Sequence, residues 1–303
     1  MEIIKKQVFK NRYIYLLILP GILYYMVFCY GPMYGIQIAF KTFDFGKGIW
    51  KSPWIGVENF KLLFIDHMYW RAFFNTIIIS LLKLTFVFPA PIILAILINE
   101  MKSGRYKRVL QTAYTFPHFL SWVIISGIVF NLLNSTGPIN SIRLSMGMDT
   151  VAFLGNRVLF RPLLLFTDIM KESGWDSIIY LAAIASINEE LYEASVIDGA
   201  NRWQKIWHIT LPGINPTIAL LFILSVGNVL NANFDQIFNL YNSVVYEVAD
   251  VIPTYIYRIT FQGAGSGDFA FSTAAGLFQS VINLFLILLA NHFSSKFGEH
   301  RIF

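Results

Sequence analysis

Stretches of about 20 or more mostly apolar residues recur along the whole chain, and nothing constrains its fold more strongly. Each can cross a hydrocarbon core about 30 Å thick. In lipid every backbone polar group must be satisfied within the spanning structure, and these runs are too long for barrel strands, so they must be helices. Six spans are expected, over about 13–40, 72–99, 110–133, 162–187, 214–237 and 272–294. No sizeable soluble domain remains between them, so residues 1–303 read as one transmembrane domain of an all-α integral membrane protein. A chain that is 56% hydrophobic and only 14% charged, with a mean hydropathy of +0.57, fits no soluble class. The fourth span is the least apolar: its middle, TDIMKESGWDS, is polar, and only its second half, IIYLAAIASI, is plainly greasy.

Orientation follows from Lys and Arg near the span ends. With the N-terminus inside, the inner segments hold twelve: Lys5, Lys6, Lys10, Arg12, Lys102, Arg105, Lys107, Arg108, Arg202, Lys205, Lys296 and Arg301. The outer loops hold nine, spread over longer segments: Lys41, Lys47, Lys51, Lys61, Arg71, Arg143, Arg157, Arg161 and Arg258. The balance places 1–12 and both termini in the cytoplasm. Because the basic residues flank apolar runs and form no single stripe, the net charge of +5 reflects topology and not a nucleic-acid partner. The N-terminal segment has the basic flank of a signal peptide, but its apolar part runs on without a small-residue cleavage site and reads as a retained first span. Cys29, the sole cysteine, excludes a disulfide framework. The loops 41–71 and 238–271 mix aromatics with Gly, Pro and Asp, which suits either an interfacial aromatic belt or surfaces facing a partner.

One inner loop, 188–213, is too polar to span and too patterned to be a plain linker. Asn188 can cap a short helix with Glu189, Glu190 and Glu193 in its first turns, where the helix dipole favours negative charge. Asp198 and Gly199 form a turn, and a second short helix is expected through Trp203 and Trp207 until Pro212 closes it. Trp203, Ile206 and Trp207 share a face, with Arg202 and Lys205 pointing elsewhere. On shape alone this is an amphipathic helix-turn-helix on the inner membrane surface.

The spacing is more specific than the shape. EASVIDGANRWQKIWHITLP, residues 193–212, with Pro216 beyond it, resembles the EAA motif, EAA-x2-DGA-x8-I-x-LP-x3-P, of permease subunits of binding-protein-dependent ABC importers. Ser195 stands where alanine is usual, and Ile206 where an aromatic is common. GPMYGIQIAFKTFD, PHFLSWVIISGIVFNLL followed by GPIN, and STAAGLFQSVINLFLILLANHFS resemble the sugar and oligosaccharide branch of that family, in particular its polysaccharide-type members.

The resemblance implies a type I importer fold in the cytoplasmic membrane of a prokaryote. It implies a coupling helix built from Glu193, Ala194, Ser195, Asp198, Gly199, Ala200, Trp203, Ile206, Leu211 and Pro212, seated in a groove of a cytoplasmic ATPase dimer. It further implies a second, similar permease and an extracytoplasmic binding protein. ATP and Mg would then be bound by the ATPase, and this chain would bind no cofactor of its own. No phosphate-binding loop is present: GAGSG at 263–267 lacks the lysine.

Asp168, Lys171, Glu172, Asp176 and Asp235 fall in or beside expected spans, where a charge must be paired or face water. Asp168, Glu172 and Trp175 share one helix face, and Lys171 lies within i, i+3 reach of Asp168. On the fifth span Ser225, Asn228, Asn231 (or Asn233) and Asp235 recur at intervals of three to four. With Tyr180, and Phe234 as a further aromatic, these residues suit two alternatives: the lining of a hydrated sugar path, or polar contacts between helices. Lys83 could snorkel or pair. The five histidines lack metal-ligand spacing, and no catalytic constellation is visible, so neither a metal site nor an enzyme is expected. An ABC permease for another polar nutrient, or an ion-coupled secondary transporter using the intramembrane acids as a proton relay, remains as an alternative.

Overall fold

The computed structural model describes residues 11–102, 104–227, 229–262 and 268–297, with the side chains of 229 and 290–297 outside that description. Asn228, the GAGSG segment and the basic residues at 5–10 therefore lie outside the described residues. The long helical elements are α1 (Arg12–Phe40), α2 (His67–Glu100), α3 (Arg105–Thr115), α4 (Trp122–Leu133), α5 (Arg157–Ala185), α6 (Glu189–Ile197), α7 (Arg202–Gly227), α8 (Phe234–Leu240) and α9 (Phe269–Phe297). Among the described residues five runs are apolar and long enough to cross a membrane: α1, α2, α4 with the segment up to Ser145, α7 and the first 21 residues of α9. At 29 residues α5 is about 44 Å long, more than the thickness of a hydrocarbon core of about 30 Å. The charges in its middle are what keep it out of that apolar set.

Two compact units divide the chain: 1–65 with 259–278, and 66–258 with 279–303. In the first, the most apolar stretch of α1 buries no side chain within the chain. The segment after it is well tied. Lys41 is almost fully buried, donates to the Ile49 carbonyl at 2.6 Å and lies over the Trp54 ring, while Asn59 donates to the carbonyls of Ala39 and Lys41.

The second unit has two apolar clusters. Ile79, Trp122, Ile125, Val129, Phe160, Leu164, Ile237 and Leu240 belong to one; Ile92, Ala95, Tyr180, Ile184 and Ile214 form the other. On α5 they flank the polar middle, with Leu164 before it and Tyr180 after it. One end is held by hydrogen bonds: Asp66 caps α2 through the amides of Met68 and Tyr69 and accepts from the Tyr255 hydroxyl. Asn75 donates to the Glu247 and Asp250 carbonyls and accepts from Arg161 at 2.9 Å. Asp250, buried and paired with Arg258, has its carboxyl pushed up by burial, with Arg258 opposing the shift.

Three expectations about helix continuity are corrected. The expected third span, 110–133, is broken after α3. Pro117 lies in a tight turn at Phe116–Phe119, and Ser121 then caps α4 by accepting from the Ile124 amide. The fifth, 214–237, also breaks: α7 ends at Gly227, and Ala232 and Asn233 adopt positive φ before α8 begins. Pro212, in turn, does not close a helix. A wide π-helical turn over Ile206–Thr210, in which the Leu211 amide reaches the Ile206 carbonyl, admits the proline and lets α7 run unbroken.

Close approach of α3 to α5 depends on Gly174. A Cβ there would lie 2.0 Å from the Tyr114 carbonyl oxygen, a contact no side-chain movement relieves. Gly174→Ala is expected to destabilise by about 1–3 kcal/mol or more, seen as a lower melting midpoint in detergent, whereas Gly127→Ala, with open space around it, should melt as the wild type does.

Candidate functional site

Between the two apolar clusters lies a layer of charge. The Lys83 ammonium sits 2.7 Å from the Asp168 carboxylate and 2.5 Å from Gln236 Oε1. Gln236, fully buried, donates through Nε2 to the Leu164 carbonyl at 2.7 Å and to the Thr167 hydroxyl at 2.9 Å. One cation thus joins α2, α5 and α8. Lys83 opens a π-helical turn, Lys83–Val87, ahead of Pro89 and Pro91, closed by the Phe88 amide on the Lys83 carbonyl.

A second group lies at the break between α3 and α4. Glu172 meets Lys171 at 2.7 Å through Oε1 and His118 at 2.6 Å through Oε2. Lys171 also donates to the His118 carbonyl and lies 5.4 Å from the Trp122 ring centroid. His118 stacks on Trp175, the centroids 4.4 Å apart and the planes within 3°. The expected Lys171–Asp168 pair is therefore not formed: each carboxylate takes its cation from a different direction, Asp168 from α2 and Glu172 from its own neighbour.

Beside Lys83 a cavity of about 400 Å³ opens between α2, α5 and α7. Ser80, Lys83, Asp168, Asp176, Tyr180, Ser225 and Asn233 supply its polar lining, and side chains such as Leu84, Val87, Phe88 and Leu221 its apolar lining. Mixed surfaces of this kind suit a solute that has both hydroxyls and C–H faces.

Of the expected path residues, Asp168, Tyr180 and Ser225 line this cavity, as does Asn233, the alternative to Asn231. Glu172 and Trp175 belong to the His118 group, and Asn228 is outside the described residues. Asn231 and Asp235 do not continue the face of Ser225, because the chain turns at 232–233. Asn231 accepts from Gln279, and Asp235 is exposed while the neighbouring Gln236 is buried. Phe234 stacks on Phe238. Sequence reasoning left Lys83 without a role and passed over His118 and Gln236. A lysine in the middle of a span was the usable signal for the first; the other two are brought in by helix breaks.

The loop 188–213 is built largely as its residues suggest. Asn188 caps α6 through the Glu190 amide at 3.0 Å, Gly199 sits at φ +74°, and Ala200 donates back to the Ser195 carbonyl. Asn201 then starts α7 with a reciprocal capping box to Gln204. The limbs are tied by the Tyr192 and Thr210 hydroxyls at 2.9 Å and by Gly213, whose Cβ would clash with Ile187. Glu193, Ala194, Asp198, Gly199, Trp203 and Pro212 are exposed, Ala200, Ile206 and Leu211 are half-buried, and Ser195 is buried. Ile197 and Trp203, 86% and 71% exposed, are the most exposed of several apolar side chains on the hairpin, with Leu191, Val196 and Trp207.

Comparison with known proteins gives this arrangement its class. The chain belongs to the family described as binding-protein-dependent transport system inner membrane component, whose profile matches residues 87–299. It is 42% identical over 295 residues to protein LplB of Bacillus subtilis, covering 97% of this chain and 92% of LplB. It is 41% identical to the polygalacturonan/rhamnogalacturonan transport system permease protein YteP of the same organism, covering 97% and 91%. Among solved structures, a bacterial alginate ABC transporter in complex with an alginate pentasaccharide-bound periplasmic protein contains a chain 43% identical, with a TM-score of 0.89 over 98% of this chain and 99% of that one. The fold is that of a type I importer permease, and the protein is a membrane-embedded transport subunit of an ABC importer.

Removing the ammonium would leave the largely buried Asp168 carboxylate and Gln236 Oε1 without their cation. Lys83→Met is expected to cost about 3–5 kcal/mol, read as a fall in melting midpoint, and Lys83→Met/Asp168→Leu should recover much of that loss.

Proposed function

We propose that this permease carries an oligosaccharide delivered by an extracytoplasmic binding protein, and that the hairpin of α6 and the start of α7 receives the stroke of a cytoplasmic ATPase dimer. Both termini are then cytoplasmic, and ATP and Mg are handled by the ATPase. A second, similar but distinct permease completes the path, because one chain supplies one EAA loop. The saccharide class is supported by the names of the relatives and by the mixed lining of the cavity.

One observation carries the mechanical part. The helices that the hairpin joins, α5 and α7, are also walls of the cavity: Asp168 and Tyr180 stand on the first, Leu221 and Ser225 on the second. From Arg202 to Ser225 the chain is one helix, a lever about 36 Å long. A push on Trp203 and its neighbours moves a cavity wall as a rigid body, which is the kind of small shift that a packed two-state element turns into alternating access. Glu193, exposed near the head of α6, is the charged contact for the ATPase groove, and Gly199 sets the angle between the limbs.

Gly199→Val forces a β-branched residue into left-handed backbone, at a cost of roughly 1–2 kcal/mol, and tilts the limbs. In proteoliposomes holding the complete importer, ATP hydrolysis should persist while oligosaccharide uptake per ATP falls, and Gly199→Asn, which tolerates that backbone, should retain most uptake. Full uptake by Gly199→Val would argue against the lever. Gradient-driven uptake by this chain in liposomes without nucleotide would favour an ion-coupled transporter.

A further inference from the structure

We propose that residues 41–57 form an interfacial anchor, with Trp50 and Trp54 seated in the headgroup layer of the phospholipid bilayer and fixing the depth of α1. By composition this segment suits either a lipid-facing belt or a surface for a protein partner. Its backbone decides between them.

The depth of the segment follows from α1. From Tyr13 to Met33 the helix carries no charged or amide side chain, a length of about 31 Å, which matches a hydrocarbon core of about 30 Å. Arg12 bounds that stretch at one end, and Tyr34 opens the final tightly wound part of the helix, Tyr34–Phe40, at the other. The chain then doubles back. Lys41 and Trp54 pair in an antiparallel bridge, flanked by the Thr42 amide on the Pro53 carbonyl at 3.0 Å and the Ile55 amide on the Phe40 carbonyl at 2.9 Å. Trp54 is thereby tied to the end of α1. Trp50 reaches further back and meets Tyr34, the ring centroids 4.8 Å apart. Tyr34 stands about 12 Å before Phe40 at the rise of a 3-10 helix. The Trp50 ring is therefore returned to the edge of the hydrocarbon core and does not stand out in water.

The chemistry of the surface fits that depth. Trp50 is 79% exposed and Trp54 64%, and Trp54 is held in place by the buried Lys41 ammonium, 4.8 Å from its ring centroid. Tryptophan favours the headgroup layer because its body is apolar while its indole N–H keeps a polar partner. Lys47 and Lys51, both exposed, flank Trp50 and can place their ammonium groups among lipid phosphates. A soluble partner would have to enter the headgroup layer to reach Trp50. An anchor also meets a need of α1, whose most apolar stretch buries no side chain within the chain, so that intrachain packing does not set its position along the membrane normal.

The test uses the complete importer in nanodiscs of phosphatidylethanolamine and phosphatidylglycerol. Tryptophan emission of wild type is compared with that of Trp50→Phe/Trp54→Phe, and the difference belongs to these two rings because every other tryptophan is common to both. With lipids brominated on the upper acyl chain, the difference emission is expected to fall by about half or more, while iodide in the buffer quenches it little. No quenching by brominated lipid overturns the anchor: quenching by iodide instead places the loop in water, and relief of that quenching by added binding protein makes the loop a docking surface. Both rings are exposed and phenylalanine keeps an aromatic face beside Lys41 and Tyr34, so the variants should fold; the two single substitutions give the same readout ring by ring. The depth of α1 is read separately from a spin label on Cys29, which is exposed on that helix, with the partner subunits made free of cysteine. Trp50→Ser/Trp54→Ser should shift the label's relative collision rates with oxygen and a water-soluble nickel chelate, and the Phe variant should not. An unchanged label in the Ser variant overturns the claim that the two tryptophans fix the helix.

Discussion

The contact between Lys83 and Asp168 is the one on which the second unit depends. Two apolar clusters, one around Phe160 and Leu164 and one around Tyr180 and Ile214, could each be stabilised by ordinary packing. The layer between them could not, because it buries Asp168 and Lys171 and largely encloses Lys83 and Glu172, charges that are costly away from water unless paired. Pairing Lys83 with Asp168 turns two liabilities into a cross-brace from α2 to α5, and Gln236 extends the brace to α8. A buried pair of this kind need not add net stability over apolar residues of the same size. What it does secure is a fixed register between helices and a polar cavity that stays open beside it.

Interrupted helices serve the same layer. The turn around Pro117 delivers His118 to Glu172 and Trp175, and the left-handed residues Ala232 and Asn233 turn the chain so that Gln236 points inward. At Lys83 and again at Ile206 the helix widens to π geometry without ending. The first wide turn begins at the braced lysine. The second admits Pro212 while keeping the hairpin continuous with the helix that lines the cavity.

Much of this was open to reading from residues. The apolar runs located α1, α2 and α9 to within a few residues of their observed ends, and α5 was found despite its charges. In the loop 188–213 the caps and the glycine turn follow from Asn188, Asp198 and Gly199 because their effects are local, reaching only the next three or four residues. The continuity of α7 through Pro212 was not legible, since a proline usually closes a helix and only the compensating wide turn allows this one to stay inside it.

By itself, the sequence determined that the chain spans a membrane with helices, that charges occur within those helices, and that the polar loop 188–213 has the spacing of the EAA motif. These properties depend on hydropathy and short-range backbone chemistry, which are the same wherever the segment sits. Only the tertiary structure decided which charges meet. Lys171 was the near neighbour of Asp168 in sequence, yet Asp168 is held by Lys83, 85 positions away, and Asp176 is left facing the cavity. Ion pairs at a few ångströms depend on which helices lie side by side and how each is rotated, and that choice is made by packing between segments distant in the chain.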